Sequence, residues 1–388
     1  MKKFRLLSFV LMVVVMIIPL YAQSNDNSSA KGPEFFNPII TGGNLFTITP
    51  DARSAGMGEI GLTTSADAYS QFHNISKLPF IDKTWGVSIS YTPWMSEITK
   101  DINLSYLTGY YTWGADNGLK HAVSASFRYF NIGEGVAFFN HLYEPIAIKP
   151  YELSFDLGYA LRFYEHWSVG LGMKYLRSDY NFSSQGLKGV VNAILFDLSS
   201  TYQTKFAWGT DRIATLRAAL ALNNLGGKMS YDGGKSYLYS PAIFRLGVGV
   251  SSEVEPLHKV GVHFEMSKMM APTYPMRGED DYEEHLKKYK EQSALSGIFN
   301  SWSDAPGGFS EELKEMIFSI GAEYIYDDRF FARAGYRHQD KSKGTGAGFT
   351  LGAGLEYKML TFDFSYFLAS QAKSPLNNTL RFTLGIDF

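Results

Sequence analysis

Residues Tyr151–Phe163 read YELSFDLGYALRF, and they divide cleanly by position. Tyr151, Leu153, Phe155, Leu157, Tyr159, Leu161 and Phe163 form one set; Glu152, Ser154, Asp156, Gly158, Ala160 and Arg162 form the other. Successive Cβ atoms leave a strand on opposite faces, so this segment, as a strand, has one greasy face and one wet face. With tyrosine at an end of the apolar face, it suits the wall of a transmembrane β-barrel. Apolar side chains meet lipid there, and tyrosine rings sit at headgroup depth.

Working outward, the same alternation recurs at Trp167–Arg177, Ala242–Val250 and Phe349–Tyr357. About fourteen such segments begin near Trp85, Ile102, Ala122, Tyr151, Trp167, Val190, Ile213, Ala242, Lys259, Ile317, Phe330, Phe349, Leu360 and Leu380. The count is even, as bacterial single-chain barrels require. The expected fold is all-β: a 14-stranded antiparallel transmembrane barrel. Such barrels join short periplasmic turns to long external loops. The expected external connections include Asn131–Pro150, Asp179–Gly189, Asn223–Pro241 and Ser267–Met316; the internal ones include Tyr164–His166, Ser252–His258, Asp327–Arg329 and Lys358. Gln203–Arg212 is long for an internal turn. The last strand places Phe382, Leu384, Ile386 and Phe388 on one face, against Arg381, Thr383, Gly385 and Asp387. An apolar edge of that length would invite aggregation unless the barrel closed on it. A terminal aromatic on such a strand resembles the signal read by the barrel-assembly machinery.

The N-terminus carries Lys2, Lys3 and Arg5 before an apolar run from Leu6 to Leu20, then Tyr21 and Ala22. That is the pattern of a secretory signal peptide over residues 1–22, too short to span a bilayer comfortably. Aromatics make up 15% of the chain and charged residues only 19%, with 37 glycines and no cysteine. Absence of cysteine excludes disulfides, a thiol nucleophile and a thiolate metal site. A net charge of -2 argues against a nucleic-acid partner. An exported, strand-rich chain without apolar helices points to a Gram-negative outer membrane, with its lipid as the first partner.

Residues 23–80 have another texture: Pro33, Pro38, Gly42, Gly43 and Pro50, then DARSAGMGEIGLTTSADAYSQFHNISKLP. They do not alternate, and glycines at Gly56, Gly58 and Gly61 permit tight turns and close approach. This segment is expected to fold into the lumen as a plug, with the barrel wall in residues 81–388. Arg53, Glu59 and Asp67 are then expected to meet lumen charges such as Glu152, Asp156, Arg162 or Arg245.

Asp51, Ala52, Arg53, Met57 and Gly58, followed by Asp67, Ala68 and Asn74, resemble the N-terminal signature of the PorV and PorQ group of outer-membrane proteins, related in fold to FadL transporters. His73, Asn74, Ile75 and Ser76 stand where an Asn-Pro-Ala turn is usual in that group. The resemblance implies a component of the type IX secretion system that engages cargo bearing a C-terminal signal domain. It would do so beside a large translocon barrel of the Sov/SprA type, and would bring the cargo to a PorU-like sortase and attachment complex.

No enzymatic constellation is visible: there is no His-Glu-x-x-His, Gly-x-Ser-x-Gly or phosphate-binding Gly-x-x-x-x-Gly-Lys stretch. His263 beside Glu265, and His141 near Glu144, read as polar pairs, and no metal or cofactor is implied. The pairs Gly170/Gly172, Gly247/Gly249 and Gly352/Gly354 lie within strands and read as room for a plug or as curvature. The connection Ser267–Met316 holds Met269, Met270, Tyr274, Ile298, Phe299 and Trp302 around a charged helical stretch, Glu279–Gln292. Methionine and aromatic residues make adaptable binding surfaces, so this loop, with Asn131–Pro150, is the expected contact for cargo or translocon. Two readings stand: a secretion shuttle, and a FadL-like channel for hydrophobic molecules. Charges at Glu152, Asp156, Arg162, Lys174 and Arg245 on the lumen face weigh against the second.

Overall fold

The computed structural model describes residues 36–388, without 98, 115–117, 139–144, 181–188, 209–211, 276–280 and 372–373. The signal peptide, residues 23–35 and the pair His141 and Glu144 lie outside the described residues.

Period-two patterning becomes a wall of fourteen antiparallel strands closed into one barrel. In chain order the strands are β1 (Trp85–Pro93), β2 (Asn103–Gly114), β3 (Lys120–Asn131), a hairpin of β4 (Gly135–Phe138) and β5 (Pro145–Ile148), β6 (Tyr151–Phe163), β7 (Trp167–Asp179), β8 (Val190–Trp208), β9 (Arg212–Gly226), β10 (Ile243–Glu255), β11 (His258–Met269), β12 (Met316–Tyr326), β13 (Phe330–His338), β14 (Gly348–Tyr357), β15 (Leu360–Ala369) and β16 (Thr379–Asp387). The hairpin β4–β5 forms its own small sheet, so β3 pairs directly with β6. Closure joins β1 to β16, with Val87 opposite Ile386 and Tyr91 opposite Phe382. Phe388 donates its N–H to the Trp85 carbonyl at 2.8 Å, and the two rings stack at 4.3 Å. Phe382, Leu384, Ile386 and Phe388 all face outward.

Two connections differ from the sequence reading. Strands β8 and β9 extend through Gln203–Trp208, where Gln203 pairs with Arg217 and Phe206 with Ala214. Gln203, Lys205 and Ala207 keep the inward parity of the buried Thr201, and Thr204, Phe206 and Trp208 the outward parity of Leu198, but Thr204 on the apolar side and Ala207 on the polar side blur the contrast. Likewise β10 runs to Glu255, leaving Pro256 and Leu257 as the turn, with Leu257 at φ 69.

Residues 36–84 thread the lumen from one end to the other. Asn37 donates to the Ser342 carbonyl in the β13–β14 connection, and Thr41 bridges to Tyr239 in the β9–β10 connection. Both connections lie at the end that also carries the long β11–β12 loop. The segment then descends through short helical turns, Asn44–Thr47, Ala52–Ala55, Ser70–His73 and Ile75–Phe80, to the short-turn end, where β1 begins. Leu45, Phe46 and Ile48 pack on Leu104, Phe130, Leu176 and Leu195 of the wall. Lower down, Ile75 and Leu78 pack on Tyr110, Ala122 and Ala160.

Candidate functional site: a wired lumen and a loop at its mouth

Inside the barrel, the polar faces of the strands are buried rather than wet, so each charge needs a partner. Asp51 caps the Ala52–Ala55 helix by accepting from the Ser54 N–H at 2.7 Å, the usual task of an N-cap aspartate. Its other oxygen lies 2.7 Å from His73 Nε2. One turn on, Arg53 forks between Asp67 at 3.0 Å and Glu323 of β12 at 2.8 Å. Glu323 is shared with Arg333 of β13 at 2.6 Å, and Arg333 reaches Asp363 of β15 at 2.5 Å. Glu59 holds Arg337 of β13 at 3.1 Å and Arg381 of β16 at 3.0 Å.

The plug charges Arg53 and Glu59 therefore meet β12, β13 and β16, and Arg333 extends the network to β15. Glu152, Asp156, Arg162 and Arg245, named from the sequence as their partners, do other work. Glu152 accepts from the Leu45 N–H at 2.8 Å, Asp156 pairs with the buried Arg128, Arg162 sits 5.4 Å from the Phe80 ring, and Arg245 pairs with Glu265 at 2.5 Å. Side-chain parity reveals which charges face inward, but strand position around the ring decides which of them a plug residue meets.

Glycines make the contact between plug and wall possible. A Cβ on Gly335 would stand 2.2 Å from the Gly58 nitrogen, and one on Gly321 would stand 2.5 Å from the Met57 carbonyl oxygen. Gly58 has φ +71, donates to Thr350 Oγ1 at 2.7 Å, and is itself crowded by the Tyr336 carbonyl. Gly170 and Gly172 serve the same purpose against Ser76 and Ile75, as Gly352 does against Gly56. Asn74 organises the turn in its own way: its side chain accepts from the Ser76 N–H at 3.1 Å and donates to the Leu62 carbonyl at 3.0 Å and to Thr201 at 2.9 Å.

Above the plug lies a cavity of about 340 Å³. Phe46, Phe72, Trp94, Lys174, Arg245 and Arg337 line it, together with the 38–44 strap. His263, beside Glu265 on the lumen face of β11, lies 3.3 Å from Thr63 Oγ1. Among the described residues no group of three or more His, Asp or Glu side chains is arranged to hold a metal.

At the mouth, the β11–β12 loop carries helices Tyr282–Glu291, Ala294–Asn300 and Phe309–Glu315. Lys268 Nζ fastens the third, 2.9 Å from Glu312 and 2.5 Å from Glu315, and Lys343 reaches Glu315 at 3.1 Å. Asp304 accepts from the Thr273 N–H at 3.1 Å; burial, reinforced by Glu315 and Glu312, raises its carboxyl to about 7. Tyr289 packs against Tyr239 and Tyr274. Of the six loop residues singled out from the sequence, Met270 and Ile298 are buried and Met269 is half-buried, so they support the loop from within. Tyr274, Phe299 and Trp302 are exposed.

The family model described as type IX secretion system protein PorV matches residues 33–276, from the strap through the plug and β11 into the long loop. The chain belongs to the PorV family. Like the rest of that family it is a type IX secretion system protein, and it resides in the Gram-negative outer membrane. No curated protein matches it. Among solved structures it is similar to the toluene transporter TbuX of Ralstonia pickettii, at 13% identity over 87% of this chain and 98% of that one, TM-score 0.47. The Pseudomonas putida toluene transporter TodX gives 12% identity, 87% and 98% coverage, and a TM-score of 0.46. A FadL homologue of Pseudomonas aeruginosa gives 11%, 91% and 99%, and 0.43. Within this PorV-family chain, Asp51, Arg53, Met57, Gly58, Asp67 and Asn74 all belong to the plug and its contacts with the wall.

Proposed function

We propose that this protein is a non-enzymatic binding component of type IX secretion. In this reading it takes the C-terminal signal domains of exported cargo at a Sov/SprA-like translocon barrel and carries them to a PorU-like sortase and attachment complex. The observation that carries the reading is the plug. Its charges pair with β12, β13 and β16 on one arc of the ring, and Leu45, Asn74 and Leu62 bond to β6, β8 and β11 on the others, which leaves the mouth as the place where a protein partner can bind. The surface offered there includes the charged helix Tyr282–Glu291, exposed Tyr274, and Phe309, which is 77% exposed.

Pull-down of the native protein from outer membranes tests this reading, with recovery of signal-domain cargo and translocon as the expected result. Deleting the β11–β12 loop while barrel assembly and secretion both stay normal would remove the loop's part in it. A FadL-like channel for hydrophobic molecules is the second reading, and the cavity over Phe46, Phe72 and Trp94 is the observation in its favour. Recovery of lipid alone, with uptake of a hydrophobic probe by vesicles carrying the protein, would favour it.

A further inference from the structure

The β11–β12 loop does not lie only over the mouth. On β9 and β10 the outward face is fixed by exposure: Leu220 and Leu246 are 40% and 45% exposed, whereas Ala219, Ala221, Arg245 and Gly247 between them are buried. Leu222 pairs with Phe244 across these strands, and both share the outward parity of Leu220 and Leu246. Leu225 pairs with the exposed Phe196 of β8. Ile298 of helix Ala294–Asn300 forms a buried cluster with Ala242 and Met270, and Leu222, Leu225 and Phe244 pack against that cluster. Trp302 adds an edge-to-face contact with Phe244 at 5.2 Å. The helix therefore rests against the outside of the wall, on the same face that contacts lipid lower down.

Charge follows that placement. Asp281–Glu291 contains Asp281, Glu283, Glu284, Lys287, Lys288, Lys290 and Glu291, whereas Ser293–Ser303, SALSGIFNSWS, contains no Asp, Glu, Lys or Arg. Lys268, whose position on β11 also points outward, is fully buried beneath Glu312 and Glu315, so the cation on this side of the wall is neutralised. Leu295 and Phe299, four residues apart on one helix face, are left 69% and 74% exposed beside the wall.

We propose that helix Ala294–Asn300 lies in the outer leaflet of the membrane, with Leu295 and Phe299 among lipid chains and Trp302 at the interface. Continuity with the lipid-facing wall selects lipid as the occupant, and an uncharged apolar helix ending near a tryptophan is the chemistry that interface accepts. The charged helix stays in water over the mouth. A partner then meets Phe299 or Trp302 only from within the plane of the membrane.

The absence of cysteine allows a direct test with single-cysteine variants of the full chain, reconstituted in phospholipid vesicles. Phe299→Cys and Leu295→Cys, each carrying an environment-sensitive fluorophore, are compared with Leu246→Cys on the wall and Glu284→Cys on the charged helix. Both loop positions are exposed, so the barrel should fold, which heat-dependent gel mobility verifies. The expected result is quenching of labels at 299 and 295 by nitroxide-labelled phospholipid as strong as at 246, with a blue-shifted emission, while the label at 284 responds to aqueous iodide. Iodide quenching at 299 and 295 equal to that at 284 would overturn the proposal. Shielding from both quenchers would assign the patch to protein, and would overturn it equally.

Discussion

The inner and outer faces of the same fourteen strands solve opposite problems. Outside, Phe155, Leu171, Leu246 and Leu351 meet a fluid, and any apolar side chain of adequate size serves. Inside, Arg53, Glu323, Arg333 and Asp363 meet fixed partners, and each is adequate only beside the others. Burial of charge is a poor source of stability compared with apolar packing, but a single missing member leaves the rest uncompensated. The lesson is that the outer face confers tolerance and the inner face confers a unique plug position.

The sharpest way to break this contrast is Glu323→Ala, which strips the acceptor from Nε and Nη2 of Arg53 and Nε of Arg333, leaving Arg53 only Asp67 and Arg333 only Asp363 as acidic partners. It should cost about 3–5 kcal/mol, read as a lowered urea midpoint in bilayers. An unchanged midpoint would mean that water, rather than the plug, satisfies the lumen. Gly335→Val comes next. Its Cβ would meet backbone atoms of Met57 and Gly58, so overpacking should cost about 1–3 kcal/mol. Displacement of the plug should also raise ion conductance in planar bilayers above that of the parent chain. On the outer face, Leu351→Ala should cost only about 1–2 kcal/mol, the transfer of its missing methylenes from water to lipid, because lipid fills the space that is left. A loss as large as that of Glu323→Ala would erase the contrast.

The smallest effect concerns the loop. Because the Asp304 carboxyl is raised from 3.8 to about 7, the folded loop keeps a proton that the released loop has given up. Its contribution is therefore greatest near pH 4 and is lost as the pH rises through about 7. Proteolytic nicking of the loop should be slower at pH 5.5 than at pH 8, and Asp304→Asn should flatten that difference.

Wall strands were legible because one face meets lipid and the other a packed polar lumen, which writes a period of two into Tyr151–Phe163 and its counterparts. Where a polar residue interrupts the apolar face and a small one the polar face, as Thr204 and Ala207 do within Gln203–Trp208, that record weakens and the strand reads as loop. Plug pairings left no local trace: Arg53 and Glu323 are 270 residues apart, and only the closed ring brings them together. In the loop, Met270 and Ile298 looked like binding residues because composition does not distinguish a side chain that supports a surface from one that forms it. The contrast between the charged Asp281–Glu291 and the uncharged Ser293–Ser303 was visible all along, but it acquires meaning only once Ile298 is seen on the outer wall.

Closure between Trp85 and Phe388 also fixes an order of events. The plug is exported before the strands that will enclose it, and its bond from the Ala52 N–H to Thr383 spans 331 residues of sequence. Contacts so distant in sequence slow folding. Thr383 belongs to the same final strand that seals the ring against β1. An interrupted chain lacking that strand would have neither a closed wall nor a seated plug, so a single late step commits both. The arrangement makes the last strand an inspection point: a protein that has sealed has, by the same act, locked its own interior.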